Sequence, residues 1–523
     1  MRDVVEQTRM KYPIGVQDFE GLRKNGYVYV DKTRQVYEIA TRGKYYFLGR
    51  PRRFGKSLLL STFEAYFLGK KELFGGLAIE KLEEEWREYP VLRLDLNTGE
   101  YDEEESLNDE FHRHLEKWEA EYGDTYKGRK PSERFLQVIE LAYKKTGRQV
   151  VILVDEYDKP LVNTFDNLAL QELYRSQLKA FYSVLKTQDR YIRFAFLTGV
   201  TKFGKVSVFS DLNNLQDISM QEKYAGICGI TEKEIHEYFE QSIDEMASVN
   251  GISHEEAFAK LKEQYDGYHF EVDTEGVYNP FSLLNAFNEK KFKNYWYETG
   301  TPTFLVQLLK NNDYELNDLQ RQSMTASDLK NIDSIDRDPI PMIYQSGYLT
   351  IKSYDHEFGI YQLGFPNKEV ESGFMDSLVP QYLSVSSSKA RFSVSQFVRD
   401  VRSGGAESFM TRLQTFLENG DYRIAGKMEI YFQNVLFVIF QMMGLYTSVE
   451  RTTSRGRADI VIETQGYVYV IECKLDGSAD EALKQIEECG YAKPYDMDTR
   501  KLFKIGVNFS SEIRGIKEWK VED

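Results

Sequence analysis

The sequence predicts an α/β protein: a helix-covered parallel sheet in the first half, a mostly helical middle, and a small α/β domain at the C-terminal end. Three observations lead there. First, the short apolar runs Tyr45–Leu48, Val91–Leu96, Val150–Val154 and Phe194–Leu197 alternate with segments of helical spacing. Strands that are apolar along their whole length belong in a parallel sheet buried on both faces. Second, after about Ile230 helical segments dominate, opening on Thr231-Glu232-Lys233-Glu234, which has the spacing of a capping box. Third, the last hundred or so residues read helix, strand, strand, helix, strand.

With 523 residues the chain has room for roughly three or four domains, each with its own core. The charged, proline-bearing stretch from Asp333 to Pro341 reads as a connection. A further boundary falls between the polar stretches Ser384–Ser388 and Ser403-Gly404-Gly405. The expected division is therefore 1–230, 231–400 and 401–523. Hydrophobic residues make up 41% and charged residues 29%, the balance of a globular protein.

Composition also excludes several functions. A net charge of −16 argues against a generic polyanion binder, which needs a broad basic surface, but leaves room for a local basic groove. Cys228, Cys473 and Cys489 have no CxxC spacing, and of the six histidines only His112 and His114 lie close together. Neither a disulfide framework nor a zinc site is expected. The chain starts without an apolar leader, and the most membrane-like stretch, Val435–Tyr446, is short and interrupted by Gln441. A reduced, cytoplasmic protein that does not span a membrane is the expectation.

The first chemical constellation is Gly49-Arg50-Pro51-Arg52-Arg53-Phe54-Gly55-Lys56-Ser57, between a strand and a helix. Backbone N–H groups at a helix start, aided by its dipole, cradle phosphates. That assigns the stretch Arg52, Arg53, Phe54, Gly55, Lys56, Ser57 and Leu58 to nucleotide binding, with Lys56 on the β- and γ-phosphates and Ser57 on Mg²⁺. Five residues separate Gly49 from Gly55, so Arg50 stands where the generic loop has its first glycine. Asp155 and Glu156 follow the strand ending at Val154, in the positions of a Mg²⁺-shell carboxylate and a water-polarising glutamate. Together these predict a P-loop NTPase with an AAA/ASCE-like sheet that binds ATP and Mg²⁺. Thr198 or Thr201, past the next strand, is either a γ-phosphate sensor or an ordinary strand end. Arg52 and Arg53 suit phosphate contacts in cis or action in trans, which leaves a homo-oligomer open.

Around these residues the chain resembles the predicted AAA-ATPase-like family, common among Bacteroidetes. The resemblance is carried by Tyr29–Thr33, by Arg50–Ser57 in the family's RPRRFGKS form, by Asp155-Glu156-Tyr157-Asp158-Lys159-Pro160 and by Thr198–Phe203. Tyr265-Asp266-Gly267-Tyr268 and Tyr278-Asn279-Pro280-Phe281-Ser282 extend it. It implies that the unusual loop spacing is the family's own, and that a nuclease-like domain ends the chain.

The second constellation is an expected hairpin, Gly456–Ile462 and Tyr467–Lys474, turning at Thr464-Gln465-Gly466. Period-two geometry puts Glu472 and Lys474 on one face and Cys473 on the other. Folding about Gln465 places Asp459 opposite Ile471, within reach of Glu472. Two carboxylates converging beside a lysine are costly unless a metal offsets them. The chemistry that uses such a group is metal-assisted phosphodiester hydrolysis, with Asp459 and Glu472 on Mg²⁺ or Mn²⁺ and Lys474 orienting water or stabilising charge. An unrelated exposed Glu-x-Lys pair is the plain alternative.

This D…E-x-K pattern resembles the PD-(D/E)XK nuclease superfamily, with Ala458 in place of the nominal proline. The resemblance implies a restriction-endonuclease-like domain, a further polar residue at Gln485 and, at Glu429, the helix carboxylate that some members add to the metal site. Arg451, Arg455 and Arg457 are either a basic edge for phosphates or a solvated loop. The expected function is nucleotide-controlled cleavage of DNA. The alternative is an ATP-driven switch or remodeller whose nuclease-like domain only binds nucleic acid or a partner. The middle region carries no binding motif and suits a lid or winged-helix element.

Overall fold

The computed structural model describes residues 10–523 apart from 125–128, 203–213, 297–302, 313, 317–318, 320–321, 331–337, 384, 419–427, 445–447, 452–458 and 514. Contacts group the chain into two compact units, Met1–Thr299 with Gln322–Val370, and Gly300–Arg321 with Glu371–Asp523. The stretch read as a separate middle region is thus shared between them.

In the first unit, β1 (Tyr45–Gly49), β2 (Val91–Asp95), β3 (Val150–Asp155), β4 (Ile192–Gly199) and β5 (Gln216–Asp217) form a parallel sheet in the order β2-β3-β4-β1-β5. All six residues of β3 are buried, which requires cover on both faces and explains the unbroken apolar run. Phe63 and Phe67 of the Lys56–Phe67 helix pack on Phe194 and Phe196 of β4 with ring centroids 4.8–5.3 Å apart. Because β4 lies between β1 and β3, its end brings Thr198 beside both the loop after β1 and the turn after β3. Register pairs Gly49 with Gly199 and Asp95 with Asp155. All the loops that matter therefore open at one end of the sheet, as expected of α/β sheets.

The helices that follow are started by their own side chains. Thr231 with Glu234, and Ser253 with Glu256, form reciprocal capping boxes, and Asn279 caps the Pro280–Glu289 helix. Their apolar faces share one core that includes Phe239, Leu261 and Phe287. The short pair β6 (Ile230–Thr231) and β7 (Val277–Tyr278) ties them together. A three-stranded antiparallel sheet completes this unit: β8 (Ser323–Thr325), β9 (Thr350–Asp355) and β10 (Ile360–Gly364), ordered β8-β10-β9. Between β8 and β9 lie the Ala326–Lys330 and Ile340–Gln345 helices. The expectation of a mostly helical region misses this sheet: β8 has only three residues, and burial along β9 does not alternate.

The second unit holds β11 (Ser448–Arg451), β12 (Ile460–Glu463), β13 (Tyr467–Leu475), β14 (Lys501–Ser510) and β15 (Gly515–Glu522) in sequential order. Only β13 and β14 are parallel, joined by the Ala479–Cys489 helix, which Ser478 and Glu481 cap. Gly506 lets that helix approach the sheet, since a Cβ there would lie 2.2 Å from the Ala479 carbonyl oxygen. Among the described residues no helix is long and apolar enough to cross a membrane.

The β12–β13 hairpin corrects one expectation. Ile460, not Asp459, pairs with Ile471, so Asp459 faces Glu472 directly. The turn has two central residues, Gln465 and Gly466, closed by Thr464 N–H donating to the Tyr467 carbonyl at 2.9 Å. A turn centred on Gln465 alone put the register one residue out.

Candidate active sites

In the first unit, Gly55 caps the Lys56–Phe67 helix at φ 92°, a left-handed conformation that suits glycine. Arg53 also sits at positive φ, 69°, so the loop coils tightly before the helix. Lys56 is 4% exposed. Its ammonium donates to the carbonyls of Arg50 at 3.0 Å and Pro51 at 3.2 Å, and lies 3.2 Å from Glu156 Oε1. Glu156 itself has φ 52°, an uncommon conformation of the kind that gathers at functional sites.

Asp155 is buried and accepts from Ser57 and from the Thr198 hydroxyl, the latter at 2.8 Å. Burial pushes its carboxyl pKa up, and these hydrogen bonds oppose the rise. The predicted Ser57, Asp155 and Thr198 are thus brought together, and Thr198 acts on Asp155 rather than pointing free. Arg93 of β2 approaches Asp155 at 3.9 Å and pairs with Glu64 at 2.7 Å.

Arg52 is exposed, whereas the Arg53 guanidinium lies over the Phe281 ring at 4.7 Å. Phe54 is a core residue against Tyr268 at 4.7 Å and Phe270 at 5.5 Å. Its part in the loop is to anchor it. An open apolar cleft adjoins Gly55 and Leu58, walled by Pro13, Tyr29, Ile230 and Pro280.

Arg50, in the position of the generic first glycine, turns away from the phosphate side. It is 1% exposed and donates to the carbonyls of Gly49, Ser219 and Tyr224 at 2.8–2.9 Å, with Phe270 stacked at 3.9 Å. Burial pushes its pKa down to about 10. Lysine cannot reproduce this fork. Arg50→Lys is expected to cost about 2–3 kcal/mol of stability in a denaturant melt. A melt unchanged within error would show that the fork is dispensable.

In the second unit, Asp459 and Glu472 face each other at the open end of β12 and β13. Asp459 N–H donates to Glu472 Oε2 at 3.3 Å, and Asp459 Oδ2 accepts from Cys473 N–H at 2.9 Å. Glu472 is 3% exposed, and burial together with the Asp459 charge pushes its pKa up to about 7. The Lys474 ammonium lies 3.4 Å from Glu472 Oε1 and also donates to Gln485 Oε1. Gln485 Nε2 in turn donates to the Tyr491 hydroxyl at 3.2 Å, which fixes the amide's orientation. Asp459, Glu472, Lys474 and Gln485 therefore converge as predicted. The side chains of Glu429 and Arg451, and residues Arg455, Arg457 and Ala458, lie outside the described residues. Cys473, read as a core thiol, is only half-buried.

A donor set of two carboxylates, one of them buried at a cost to its charge, fits a hard divalent cation that completes its shell with water and phosphate oxygens. Among the described residues no group of three or more His, Cys, Asp or Glu is arranged to hold a metal.

An uncharacterized protein in the vnfD 5' region of Azotobacter chroococcum mcd 1 is 34% identical over 525 residues, covering 98% of this chain and 99% of that one. Residues 13–209 match the family model described as predicted AAA-ATPase. The chain belongs to this AAA-ATPase-like family. Residues 427–519 match the PD-(D/E)XK nuclease superfamily, so this AAA-ATPase-like chain ends in a nuclease-superfamily domain. The chain is also similar to the Aeropyrum pernix ORC2 protein solved in ADPNP-ADP complexes, at 10% identity and a TM-score of 0.23, over 69% of this chain and 94% of that one. A score that low does not establish a common fold.

Two residues of the AAA-ATPase-like chain were not singled out from sequence. Asp158 is 1% exposed and accepts from the hydroxyl and N–H of Thr201 at 2.5 and 2.6 Å. Burial, with the Glu156 charge behind it, pushes its pKa up to about 6. Its signal was a third carboxylate, after Asp155 and Glu156, just past the apolar strand. Tyr491 gave none, because its distance from Gln485 matches no periodicity.

Proposed function

We propose that this protein binds and hydrolyses ATP in its first unit and cleaves DNA, with Mg²⁺ or Mn²⁺, in its second, the nucleotide controlling cleavage. The observation that carries the reading is that each unit assembles a complete lysine–carboxylate centre: Lys56 with Asp155 and Glu156, and Lys474 with Asp459 and Glu472.

In the first unit the loop backbone from Arg52 to Leu58 wraps the phosphates, and Lys56 exchanges its carbonyl partners for phosphate oxygens. Ser57 and Asp155 hold the nucleotide's Mg²⁺, and Glu156, released from Lys56, polarises the attacking water. The apolar cleft beside Gly55 and Leu58 takes the base. Thr198 orients Asp155. Exposed Arg52 is available to phosphate in cis or to a neighbouring copy.

In the second unit Asp459 and Glu472 would hold the metal. A bound divalent ion supplies a Lewis acid that acidifies water and neutralises the scissile phosphate. Lys474, oriented by Gln485, positions that water or stabilises the developing charge. The three scattered cysteines, none of them at CxxC spacing, fit action in a reducing, cytoplasmic setting.

The test uses the full chain on single- and double-stranded DNA, with Mg²⁺ or Mn²⁺, with and without ATP. Metal-dependent cleavage stimulated or gated by ATP is expected. ATP turnover with no cleavage of either DNA form would move the reading to an ATP-driven switch whose nuclease-like domain only binds.

A further inference from the structure

Strand β4 ends at Gly199, and the N–H groups of Val200, Thr201 and Lys202 beyond it have no ladder partner. Side chains claim all three. Asp158, from the turn that carries Glu156, accepts from Val200 N–H at 3.1 Å and from Thr201 N–H at 2.6 Å. Gln345, at the end of the Ile340–Gln345 helix, accepts from Lys202 N–H at 2.6 Å. The same Gln345 amide donates to the Leu329 carbonyl at 2.6 Å, so both its ends are used. Tyr157 adds a bond from its hydroxyl to the Thr201 carbonyl at 3.0 Å.

Gln345 is 143 residues from Lys202 in sequence, yet its segment meets the nucleotide loop as well. Gly347, at φ 87°, abuts Pro51 so closely that a Cβ there would lie 2.5 Å from the proline ring. The Trp296 indole donates to the Arg52 carbonyl at 3.0 Å, and its ring lies tilted against Tyr348 with centroids 5.1 Å apart. The Ile340–Tyr348 segment therefore touches the phosphate loop on one side and the end of β4 on the other.

We propose that Gln345 is a positioning residue for ATP hydrolysis, holding the Val200–Lys202 segment against the Glu156 turn, so that hydrolysis requires the Ile340–Gln345 helix to be docked. This rests on the ATP-hydrolysing reading of the first unit. The mechanism is indirect: Gln345 fixes Lys202 N–H, the adjoining Thr201 and Val200 stay on Asp158, and Asp158 keeps the turn bearing Glu156 in its left-handed conformation. Pre-set geometry of this kind contributes to the rate and little to nucleotide affinity. Displacing the helix would then stop turnover while nucleotide stays bound.

The experiment compares full-length wild type with Gln345→Leu, Gln345→Glu and Lys56→Ala. It measures ATP kcat, affinity for a fluorescent ATP analogue and thermal stability. Gln345→Leu removes both bonds at similar volume, and kcat is expected to fall about tenfold, or about 1.4 kcal/mol, with affinity within about twofold. Gln345→Glu keeps an acceptor for Lys202 N–H but cannot donate to Leu329. Its kcat is expected within about threefold of wild type although it melts as low as Gln345→Leu, a split that a purely structural role would not produce.

Wild-type kcat in Gln345→Leu, a parallel loss of kcat and affinity, or a glutamate variant no faster than the leucine one would overturn the proposal. Active wild type beside inactive Lys56→Ala would leave the ATPase reading standing in each of those cases. A wild type without turnover would overturn the ATPase reading itself, and the role of Gln345 with it.

Discussion

Lys56→Ala is expected to reduce ATP turnover at least about a hundredfold and to weaken nucleotide binding, read by phosphate release and titration calorimetry. The reason lies in where the ammonium sits. It is buried at the start of a helix, spends its hydrogen bonds on the Arg50 and Pro51 carbonyls, and pairs with Glu156 at 3.2 Å. On the proposed reading a nucleotide's phosphates would offer better acceptors in the same place and would free Glu156. Alanine removes the phosphate ligand and the group that parks the carboxylate. Glu156→Gln separates the two effects: turnover should fall by a similar factor while affinity is kept, because the amide retains the shape and loses the base. Unimpaired turnover in Lys56→Ala would place hydrolysis elsewhere in the chain.

The sheet carrying this site was legible because its interior strands are apolar from end to end, as in Val150–Val154, and because Asp155 interrupts that run where it leaves the core. What the sequence hid were partners distant along the chain. Arg50 read as a phosphate-loop residue, yet its guanidinium is taken by Ser219, Tyr224 and Phe270, more than 160 residues away. Gln345 was silent for the same reason, and Asp158 showed only as one more carboxylate past the strand: a hydrogen bond to a strand end leaves no periodicity. The β8–β10 sheet was missed because three residues of Ser323–Thr325 are too few to alternate.

In the second unit, alternation placed Glu472 and Lys474 on one face correctly, since that depends only on the strand's pleat. The partner's register depended on the turn, and a single extra turn residue moved Asp459 from Ile471 to Glu472. Directly opposed carboxylates crowd their charges more closely than diagonal ones, which is one source of the raised Glu472 pKa.

That pKa, about 7 against an ordinary 4.5, makes the last expectation the sharpest. Glu472→Gln and Lys474→Ala should each lower metal-dependent cleavage by about a hundredfold or more. The glutamine variant should also change how the metal-free protein responds to pH. Between about pH 4.5 and 7 the folded state holds a proton that the unfolded chain has released, so stability falls as pH rises through that window. Burial and Asp459 set the cost, Lys474 offsets part of it, and the total is on the order of 2–3 kcal/mol above pH 7. Hydrogen exchange at the β13 and β14 amides should thus be faster, after correction for intrinsic rates, at pH 8 than at pH 5.5 in metal-free wild type and nearly level in Glu472→Gln. Metal ligation needs the carboxylate, so apparent metal affinity should drop toward tenfold per pH unit below 7. Equal protection at both pH values in wild type would mean that Glu472 is ionised throughout, and the buried carboxylate pair would then be held by something other than a shared proton or a metal.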